Sequence, residues 1–404
     1  MDISICGHQT YCNAATAPIQ VSLYDTIGSV SAADWLRFIP DGNPLLNPSY
    51  LHLLEETQKG EMEFIYALLR NADGLLGVCY FQVVHFKGSN LVPYFDNIEA
   101  KGGTGNVLSK FMNVAKSWVG KIDLPLLVSG NLFITGEQGL YFLPHVTELE
   151  KSYYLAHTIQ HIFRHRSYIK ATLLPDMYEP SGDFDVAFRT QSYRRIYVEA
   201  DMSMQLPSHW HSFDDYLAAI SSKYRVRAKK ILQTSSSISH HEMDAAEIVE
   251  QQDRLFELYQ AVADKADFNI AKFKKEYFAL QKKLSPDTYK LFGYYLGGKL
   301  VGFMSLFILP YKTEVHYCGI NYIINKDLAL YQRMLYDIVG YATSHQLRRL
   351  HFGRTAPEVK STIGAIPQPM YGYVKYRNPI INAFIGIFTS RLKPRNYQLR
   401  SPFK

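Results

Sequence analysis

The alternation of apolar and polar positions predicts a β-hairpin in the first part of the chain. Apolar and aromatic residues fill 62–70 and 75–86, and the turn sequence Asn71-Ala-Asp-Gly74 lies between them. A further apolar run over 124–131 ends in polar residues, which predicts a buried strand. The polar stretch 131–139 that follows is typical of a loop at the end of that strand.

Helical spacing of apolar positions predicts several helices around these strands. The predicted helices are a short one around Asp34, a second that Asn47 or Ser49 caps, and two longer ones over 105–119 and 145–166. Two further strands are expected at 168–174 and 194–199. This part of the chain therefore mixes both kinds of element.

The second part of the chain has the same mixture, with three apolar runs that predict consecutive antiparallel strands. These predicted strands cover 289–296, 300–309 after the turn Gly297-Gly298, and 314–322. The predicted helices cover 213–232, 245–265, 271–284 and 327–345, and a last strand covers 348–353. The order is helices, a strand meander, a helix and a strand that must rejoin the sheet.

Residues 206–212, Leu-Pro-Ser-His-Trp-His-Ser, have the composition of a linker between the two parts. We therefore expect an N-terminal domain over 1–205 and a C-terminal domain over 213–376. Residues 377–404 form a predicted basic amphipathic tail.

The segment 351–365 concentrates charge and turn residues directly after an apolar run. Thr355 and Glu358 fit a capping box at a helix start, and Gly364 suits the left-handed turn that ends such a helix. Arg354 is expected at the carboxyl end of the strand and Lys360 on the short helix. This places two cations and a carboxylate at a strand end, where α/β proteins commonly bind ligands.

The net charge of +6 is unevenly distributed, because Glu358 is the last acidic side chain and eight cations follow it. Within that basic tail the apolar run 380–388 resembles a short interfacial segment, so an anionic membrane surface is an expected partner for 379–404. The four cysteines have neither metal-ligand spacing nor the density of a disulfide scaffold, which predicts reduced thiols. Without a secretory signal or a membrane-spanning run, we expect a cytoplasmic protein, attached at most to the inner face of the membrane.

Three sequence segments resemble the double-domain branch of the GNAT acetyltransferase superfamily, which contains Fem-type peptidoglycan transferases and the six-group bacterial acetyltransferases. They are the basic helix over 220–230, the hairpin over 294–303, and Phe352-Gly-Arg with the later Lys360 and Gly364. The resemblance covers about 213–376, and the N-terminal half matches mainly through 43–50. It implies an α/β (α+β) protein of two tandem acetyltransferase-like domains, each a mixed, mostly antiparallel sheet flanked by helices.

The resemblance further implies a bacterial N-acyltransferase that uses an acyl-CoA or acyl-carrier-protein thioester and a primary amine. In this family a splayed strand exposes N–H groups to the carbonyl of the donor, and the corresponding strand here is 314–322. The catalytic candidates are His316 as base, Lys360 and Arg354 as cations, Tyr331 as acid, and Glu358 as base or cap. The candidates for donor or substrate binding are Lys223, Arg225, Arg227, Asn131 and Asn321.

Two features keep alternatives open. The family's glycine-rich loop for the coenzyme A pyrophosphate is replaced at 321–328 by a stretch without glycine, so an acyl carrier protein and aminoacyl-tRNA stay open as donors. The basic tail favours an amphipathic acceptor such as a long-chain amino alcohol. A Fem-type peptide transferase that uses aminoacyl-tRNA and a non-catalytic binding module are the alternative functions.

Other ligand classes are not expected. His157, His161 and His165 share one helical face, but no carboxylate or cysteine accompanies them, so we expect no metal site. We also expect no DNA partner.

Overall fold

Thirteen β-strands and thirteen α-helices make up the described part of the chain. The computed structural model describes residues 18–39, 43–91, 117, 120–265, 270–389 and 397–403. The strands are β1 Gln20–Tyr24, β2 Met62–Asn71, β3 Gly74–Lys87, β4 Asp123–Ser129, β5 Leu140–Phe142, β6 Ala171–Tyr178, β7 Arg194–Gln205, β8 Ile238–Glu242, β9 Tyr289–Leu296, β10 Lys299–Ile308, β11 Thr313–Ile320, β12 Arg349–His351 and β13 Ile366–Tyr376.

The helices lie on both faces of these strands. They are α1 Ala32–Leu36, α2 Pro48–Thr57, α3 Glu148–His165, α4 Gly182–Thr190, α5 Phe213–Ala219, α6 Ser222–Thr234, α7 Ala245–Glu250, α8 Gln252–Ala263, α9 Tyr277–Leu284, α10 Tyr322–Leu328, α11 Leu330–Ser344, α12 Pro357–Ser361 and α13 Pro379–Thr389. No helix in these described segments is long and apolar enough to cross a membrane.

All thirteen strands belong to one mixed sheet, which confirms the predicted α/β class. Its order is β1-β2-β3-β4-β6-β13-β7-β12-β11-β10-β9-β8, and β5 pairs with β3 beside this path. Both predicted hairpins are present, β2 with β3 and β9 with β10, and most pairs are antiparallel. The two parallel pairs are β4 with β6 and β11 with β12.

The two parts of the chain exchange strands at the centre of the sheet. β13 comes from the end of the chain but lies between β6 and β7, with Val374 opposite Leu173 on one side and Arg194 on the other. The other edge of β7 pairs with β12, where Ser203 lies opposite His351. The sheet therefore runs unbroken past 206–212, and the domain boundaries there stay a prediction.

Three apolar clusters fill the space between sheet and helices. One runs across both parts of the chain, from Trp35 and Tyr66 through Phe133 to Phe273 and Phe303. A second lies under α5, α6 and α11, and a third under α3 and α4. Because the first cluster is shared, neither part of the chain has a core of its own on that face.

Several predicted helices are divided by local breaks. The predicted helix 213–232 stops at Ile220, which is extended and forms a β-bridge with Phe403. The predicted helix 327–345 becomes α10 and α11 because Ala329 adopts a left-handed φ of 52°. The prediction for 245–265 is split at Gln251, and α9 covers only the end of 271–284. The predicted helix 105–119 lies outside the described residues except for residue 117.

The predicted capping box at Thr355 and Glu358 is wrong. α12 starts at Pro357 after Ala356, whose φ is 53°, and no side chain caps it. The helix therefore begins too late for Thr355 to serve as the N-cap. The Glu358 carboxylate instead accepts a hydrogen bond from the backbone N–H of Gln398 at 3.2 Å.

The end of the described chain packs onto the body of the protein. The Phe403 ring lies 5.9 Å from that of Trp210 and 6.3 Å from that of Tyr216. The backbone N–H of Ser221 donates to the Pro402 carbonyl at 2.8 Å. Residues 397–403 are thus part of the fold rather than of an amphipathic segment.

A candidate active site at a gap in the sheet

β11 and β12 separate shortly after they begin to pair. Thr313 lies opposite Leu350 and Glu314 opposite His351, and no pair between these strands follows among the described residues. From Val315 onward β11 keeps its pairing with β10 only. One edge of β11 is therefore open at the position where the sequence predicts a splayed strand.

A β-bulge lies on β11 beside this gap. Met304 of β10 pairs with Cys318 and Leu306 with Val315, so two residues of β11 face the single residue Ser305. The hydroxyl of Ser305 accepts from the backbone N–H of Tyr317 at 3.1 Å and lies 3.2 Å from its carbonyl. Such a bulge bends the strand and re-aims the side chains next to it.

Lys360 of α12 reaches into the region where the strands separate. Its ammonium donates to the carbonyls of Phe352 at 2.5 Å and Gly353 at 3.2 Å, which follow β12 directly. The residue is only 2% exposed. Burial lowers the pKa of Lys360 to about 8, and the nearby Cys318 and Asp201 oppose this shift.

Tyr331 and Cys318 lie on the same side of the gap. Burial raises the pKa of the Cys318 thiol to about 11, and the charge of Lys360 lowers it in part. Burial also raises the pKa of the Tyr331 phenol, to which the neighbouring Cys318 and Tyr322 contribute. The structure thus brings the predicted Lys360 and Tyr331 together around a free thiol.

His316 lies on the opposite face, inside an aromatic cage. Its ring centroid is 4.8 Å from that of Phe307, 5.6 Å from Phe273 and 6.0 Å from Tyr277. Neither ring nitrogen has a hydrogen bond of good geometry, although the Phe133 backbone is near. Burial lowers the pKa of His316 to about 3, so the imidazole is neutral and weakly basic at neutral pH.

Arg354 forms an ion pair with Asp176 at 2.7 Å rather than with Glu358. Asp176, at the end of β6, has a left-handed φ of 57°. Burial raises the pKa of this carboxyl, and the charge of Arg354 partly reverses the shift. A third of the arginine side chain remains exposed.

The two predicted asparagines have structural partners. Asn131 donates to the Tyr50 hydroxyl at 3.3 Å and accepts from the backbone N–H of Phe133 at 2.9 Å. Asn321 caps α10, since its side-chain oxygen accepts from the N–H groups of Ile323 and Ile324. A binding role for either stays a prediction.

The predicted basic helix α6 contains two kinds of cation. Arg225 donates to the carbonyls of Leu217 at 2.7 Å and Ile220 at 3.0 Å, so its guanidinium closes the end of α5. Lys223 and Arg227 are exposed. These two therefore stay candidates for contact with an anionic donor.

A buried carboxylate–imidazole pair beside the gap was missed in the sequence. His351 Nδ1 lies 2.5 Å from Asp201 Oδ2, which also accepts from the Tyr178 hydroxyl at 2.9 Å. Asp201 Oδ1 accepts from the backbone N–H of Gly353 at 3.1 Å. Burial alone would raise the pKa of Asp201, but the hydrogen bond and charge of His351 hold it below its ordinary value.

This pair borders a cavity of about 300 Å³ between the two parts of the chain. The Nε2 atom of His351 is buried and has no hydrogen-bond partner among the described residues. The lining residues are Leu45, Ile134, Gly136, Glu137, Tyr178, Leu309, Tyr311, Lys312, Arg349, His351 and Gln368. The available signal was His351 in the predicted strand 348–353, since buried polar groups need partners. Asp201 gave no such signal because it lies beyond the predicted strand 194–199, whereas β7 extends to Gln205.

Metal ligation has no support in the described residues, where no group of three or more histidine, cysteine, aspartate or glutamate side chains could hold an ion. On α3 the rings of His161 and His165 are 4.2 Å apart. No carboxylate or thiol in the described segments completes a metal site with them.

Two solved structures have the same overall fold as most of this chain. The crystal structure of FemX matches with a TM-score of 0.54 and 11% identity, over 91% of this chain and 100% of that one. A tandem GNAT protein from the clavulanic acid biosynthesis pathway, solved without AcCoA, matches with a TM-score of 0.53 and 11% identity, over 90% of this chain and 99% of that one. No family model and no curated protein sequence matches the chain. The predicted Fem-type tandem GNAT fold is therefore confirmed.

Proposed function

We propose that the protein is an N-acyltransferase that moves an acyl group from a thioester donor to a primary amine. The observation that carries this proposal is the gap between β11 and β12, with its open strand edge, its bulge and the buried Lys360. Acyl transfer needs donors aimed at an oxygen that becomes negative, and a strand edge supplies them without rearrangement.

Lys360 is the proposed source of positive charge for that oxygen. An ammonium has three N–H donors, and two of them bond to the carbonyls of Phe352 and Gly353. The third is left for the substrate. With a pKa of about 8, most Lys360 side chains carry the charge at neutral pH.

Tyr331 is the proposed acid for the leaving thiolate. Burial raises the pKa of its phenol, which keeps the proton on the oxygen at neutral pH. Its position at the start of α11 is fixed because its backbone N–H donates to the Asn325 side chain at 2.7 Å. In this scheme Arg354 contacts an anionic part of a substrate and Glu358 holds the segment 397–403.

The proposed donor is an acyl-CoA or an acyl carrier protein. The similar tandem GNAT protein supports an acyl-CoA donor, because its structure is distinguished as the form without AcCoA. The exposed cations Lys223 and Arg227 on α6 suit the acidic surface of an acyl carrier protein. Aminoacyl-tRNA is less favoured, because the resemblance associates that donor with a long helical arm and α7–α9 have at most 12 residues.

The proposed acceptor is an amphipathic amine, such as a long-chain amino alcohol, that is met at an anionic membrane surface. α13 supports this, since Ile380 and Phe384 are each 68% exposed and Ile381 is 42% exposed. Asn382, on the other side, donates to the Ser192 carbonyl at 2.8 Å and fixes the helix to the protein. Exposed apolar residues beside cations are typical of interfacial helices.

The membrane part is tested with I380S/F384S rather than by removing the tail, since residues 397–403 belong to the fold. Binding to vesicles with anionic lipid should fall, while the matched variant V226S, at another 68% exposed position, should bind like wild type. Equal binding by all three proteins would contradict membrane docking through α13.

The reaction is tested by incubating the purified protein with acyl-CoAs of different length and a panel of amines, with amide and free thiol measured by mass spectrometry. Extracts of cells with and without the gene extend the search to unknown acceptors. Amide formation that needs the protein supports the proposal. Transfer only from added aminoacyl-tRNA would favour the Fem-type peptide transferase, and no transfer from any donor would favour a binding module.

A further inference from the structure

We propose that the cavity beside the gap binds the acceptor amine and that His351 is the base that removes its proton. This inference rests on the proposed acyl transfer and names a site for its second substrate. It assigns a role to Asp201 and His351, which the proposed roles of Lys360 and Tyr331 leave unused.

The hydrogen bonds of His351 leave one nitrogen for chemistry. Nδ1 faces the Asp201 carboxylate at 2.5 Å, so this nitrogen carries a proton and Nε2 is the acceptor. The residue is 4% exposed, and Nε2 is buried and without a partner in the described part of the chain. A buried carboxylate that orients an imidazole also stabilises the imidazolium that forms when Nε2 takes a proton.

The pair is itself held in place by neighbouring groups. The Tyr178 hydroxyl donates to the Asp201 carboxylate at 2.9 Å, and its oxygen lies 3.3 Å from His351 Nδ1. The N–H of Gly353 donates to the second carboxylate oxygen. Because three donors fix Asp201, the imidazole has one preferred orientation.

His351 connects the cavity to the point where the strands separate, because it lines the cavity and belongs to the last strand pair before the gap. His351 is opposite Glu314 in the last pair of β11 and β12 before the gap. Gly353 joins the two sides, since its N–H binds Asp201 and its carbonyl accepts from Lys360. Gly353 thus links the Asp201–His351 pair to Lys360, the proposed oxyanion cation on α12.

The two substrates would approach from opposite faces of the sheet. Leu350 and Met202, the neighbours of the pair on β12 and β7, belong to the apolar cluster that contacts Cys318 and Tyr331. Side chains alternate between faces along a strand, so His351 and Asp201 point away from that cluster. A donor on the side of Tyr331 and an amine in the cavity would meet at the gap.

The lining of the cavity selects a primary amine that carries hydroxyl groups. Glu137 is buried, and its carboxylate accepts from the N–H of Gly139 at 3.0 Å and from the Tyr141 hydroxyl. Burial raises the pKa of this carboxyl and the charge of Lys312, which is paired with Glu314 at 2.9 Å, partly reverses the shift, so an ammonium in the cavity would favour the ionised form of Glu137. Tyr311, Gln368 and Arg349 supply hydrogen bonds for neighbouring hydroxyls. A volume of about 300 Å³ holds the head group of an amino alcohol and leaves a long chain outside.

The step balances in atoms and charge. The ammonium gives one proton to Nε2 of His351 and becomes a neutral amine. Its nitrogen then bonds to the thioester carbon, the carbon–sulfur bond breaks, and the second proton passes to the sulfur through Tyr331. The products are an amide and a thiol, and His351 releases the first proton to solvent.

The test compares wild type, His351→Ala, Asp201→Asn and the surface control His345→Ala, with an acyl-CoA and 2-amino-1,3-propanediol as the probe. We expect H351A to lower kcat by about 10²–10⁴-fold without changing the KM for the donor. Added imidazole should restore part of the lost rate, which a purely structural role would not allow. D201N should also lower kcat, and H345A should behave like wild type.

Unchanged kcat in folded H351A, or a loss that imidazole cannot restore, would overturn the inference. If the wild type transfers no acyl group at all, the proposed function fails, and the cavity is then tested by NMR. The His351 ring signal, assigned by its loss in H351A, should shift on addition of the aminodiol. A His351 signal that does not respond to the amine would overturn the cavity assignment as well.

Discussion

The sheet has two parallel strand pairs, β4 with β6 and β11 with β12. A loop fills the space beside the first pair, whereas the space beside the second pair stays open. In the first, Val128 lies opposite Leu173, and the chain after β4 then folds back on itself. The N–H of Gly130 donates to the Tyr80 carbonyl, and the N–H of Asn131 donates to the Glu137 carbonyl. In the second pair, β11 passes almost directly into α10 and leaves the gap open.

The difference lies in the segment that follows the first strand of each pair. Gly130, Gly136 and Gly139 all have positive φ, and they allow the loop 130–139 to fill the space beside β4. The corresponding stretch 321–328 contains no glycine and forms a helix. The same strand arrangement is therefore closed by the loop 130–139 beside β4 and left open beside β11. The loop 130–139 also supplies part of the cavity lining.

Among the tests of this comparison, the largest expected effect comes from the cation at the open gap. We expect Lys360→Met to lower the rate of transfer by about 10²–10³-fold, as for loss of an oxyanion donor. Stability should fall by about 1–3 kcal/mol, because two buried carbonyls lose their donor. The control is Thr172→Val on β6, where a buried hydroxyl has no partner within the described segments, and it should keep the wild-type rate. A K360M protein that is folded and fully active would show that the gap is not the reaction centre.

The closed loop is tested with Gly130→Ala. A Cβ atom at this position would lie 2.1 Å from the Glu137 carbonyl oxygen, and the φ of 86° is unfavourable for any other residue. We expect a loss of about 3 kcal/mol in the free energy of unfolding, measured in urea. Gly182→Ala has open space around its Cβ and should stay within about 1 kcal/mol of wild type. Equal stability of the two variants would mean that the loop 130–139 is not rigid.

The buried lysine should also make stability depend on pH. The pKa of Lys360 is about 8 in the folded protein and 10.5 in a free lysine, so between these values only the unfolded state holds the proton. The free energy of unfolding should therefore rise with pH across this window, by up to about 3 kcal/mol. Urea unfolding of wild type and K360M over the same pH range isolates this contribution, since tyrosines titrate alike in both. Parallel curves would contradict a buried, charged Lys360.

The smallest effect on rate is expected at the aromatic cage. The low pKa of His316, about 3, makes it a poor base at neutral pH, so His316→Phe should leave the rate of transfer nearly unchanged. The same substitution should reduce the loss of stability on acidification, because the unfolded histidine takes up a proton near pH 6.5 and the folded one does not. A rate loss as large as that of K360M would instead identify His316 as the base.

Local patterns predicted the hairpins, the loop 131–139, the turn at Gly364 and the positions of Lys360 and Tyr331. They could not predict partners that are distant in sequence. Asp201 and His351 are 150 positions apart, and Arg354 and Asp176 are 178 apart, so neither pairing leaves a local signal. The break at Ala329 was missed as well, since alanine favours helices and here adopts a left-handed conformation between two of them.

The exchange of β13 has a consequence for synthesis on the ribosome. Domains usually fold as their sequence emerges, but the sheet around β6 and β7 lacks its central strand until residues 366–376 have been made. The first half of the polypeptide must therefore wait, with strand edges uncovered, for nearly the whole chain to be translated. Chaperones that bind exposed strands would protect this interval, and genes for the separated halves would not each encode a folding unit.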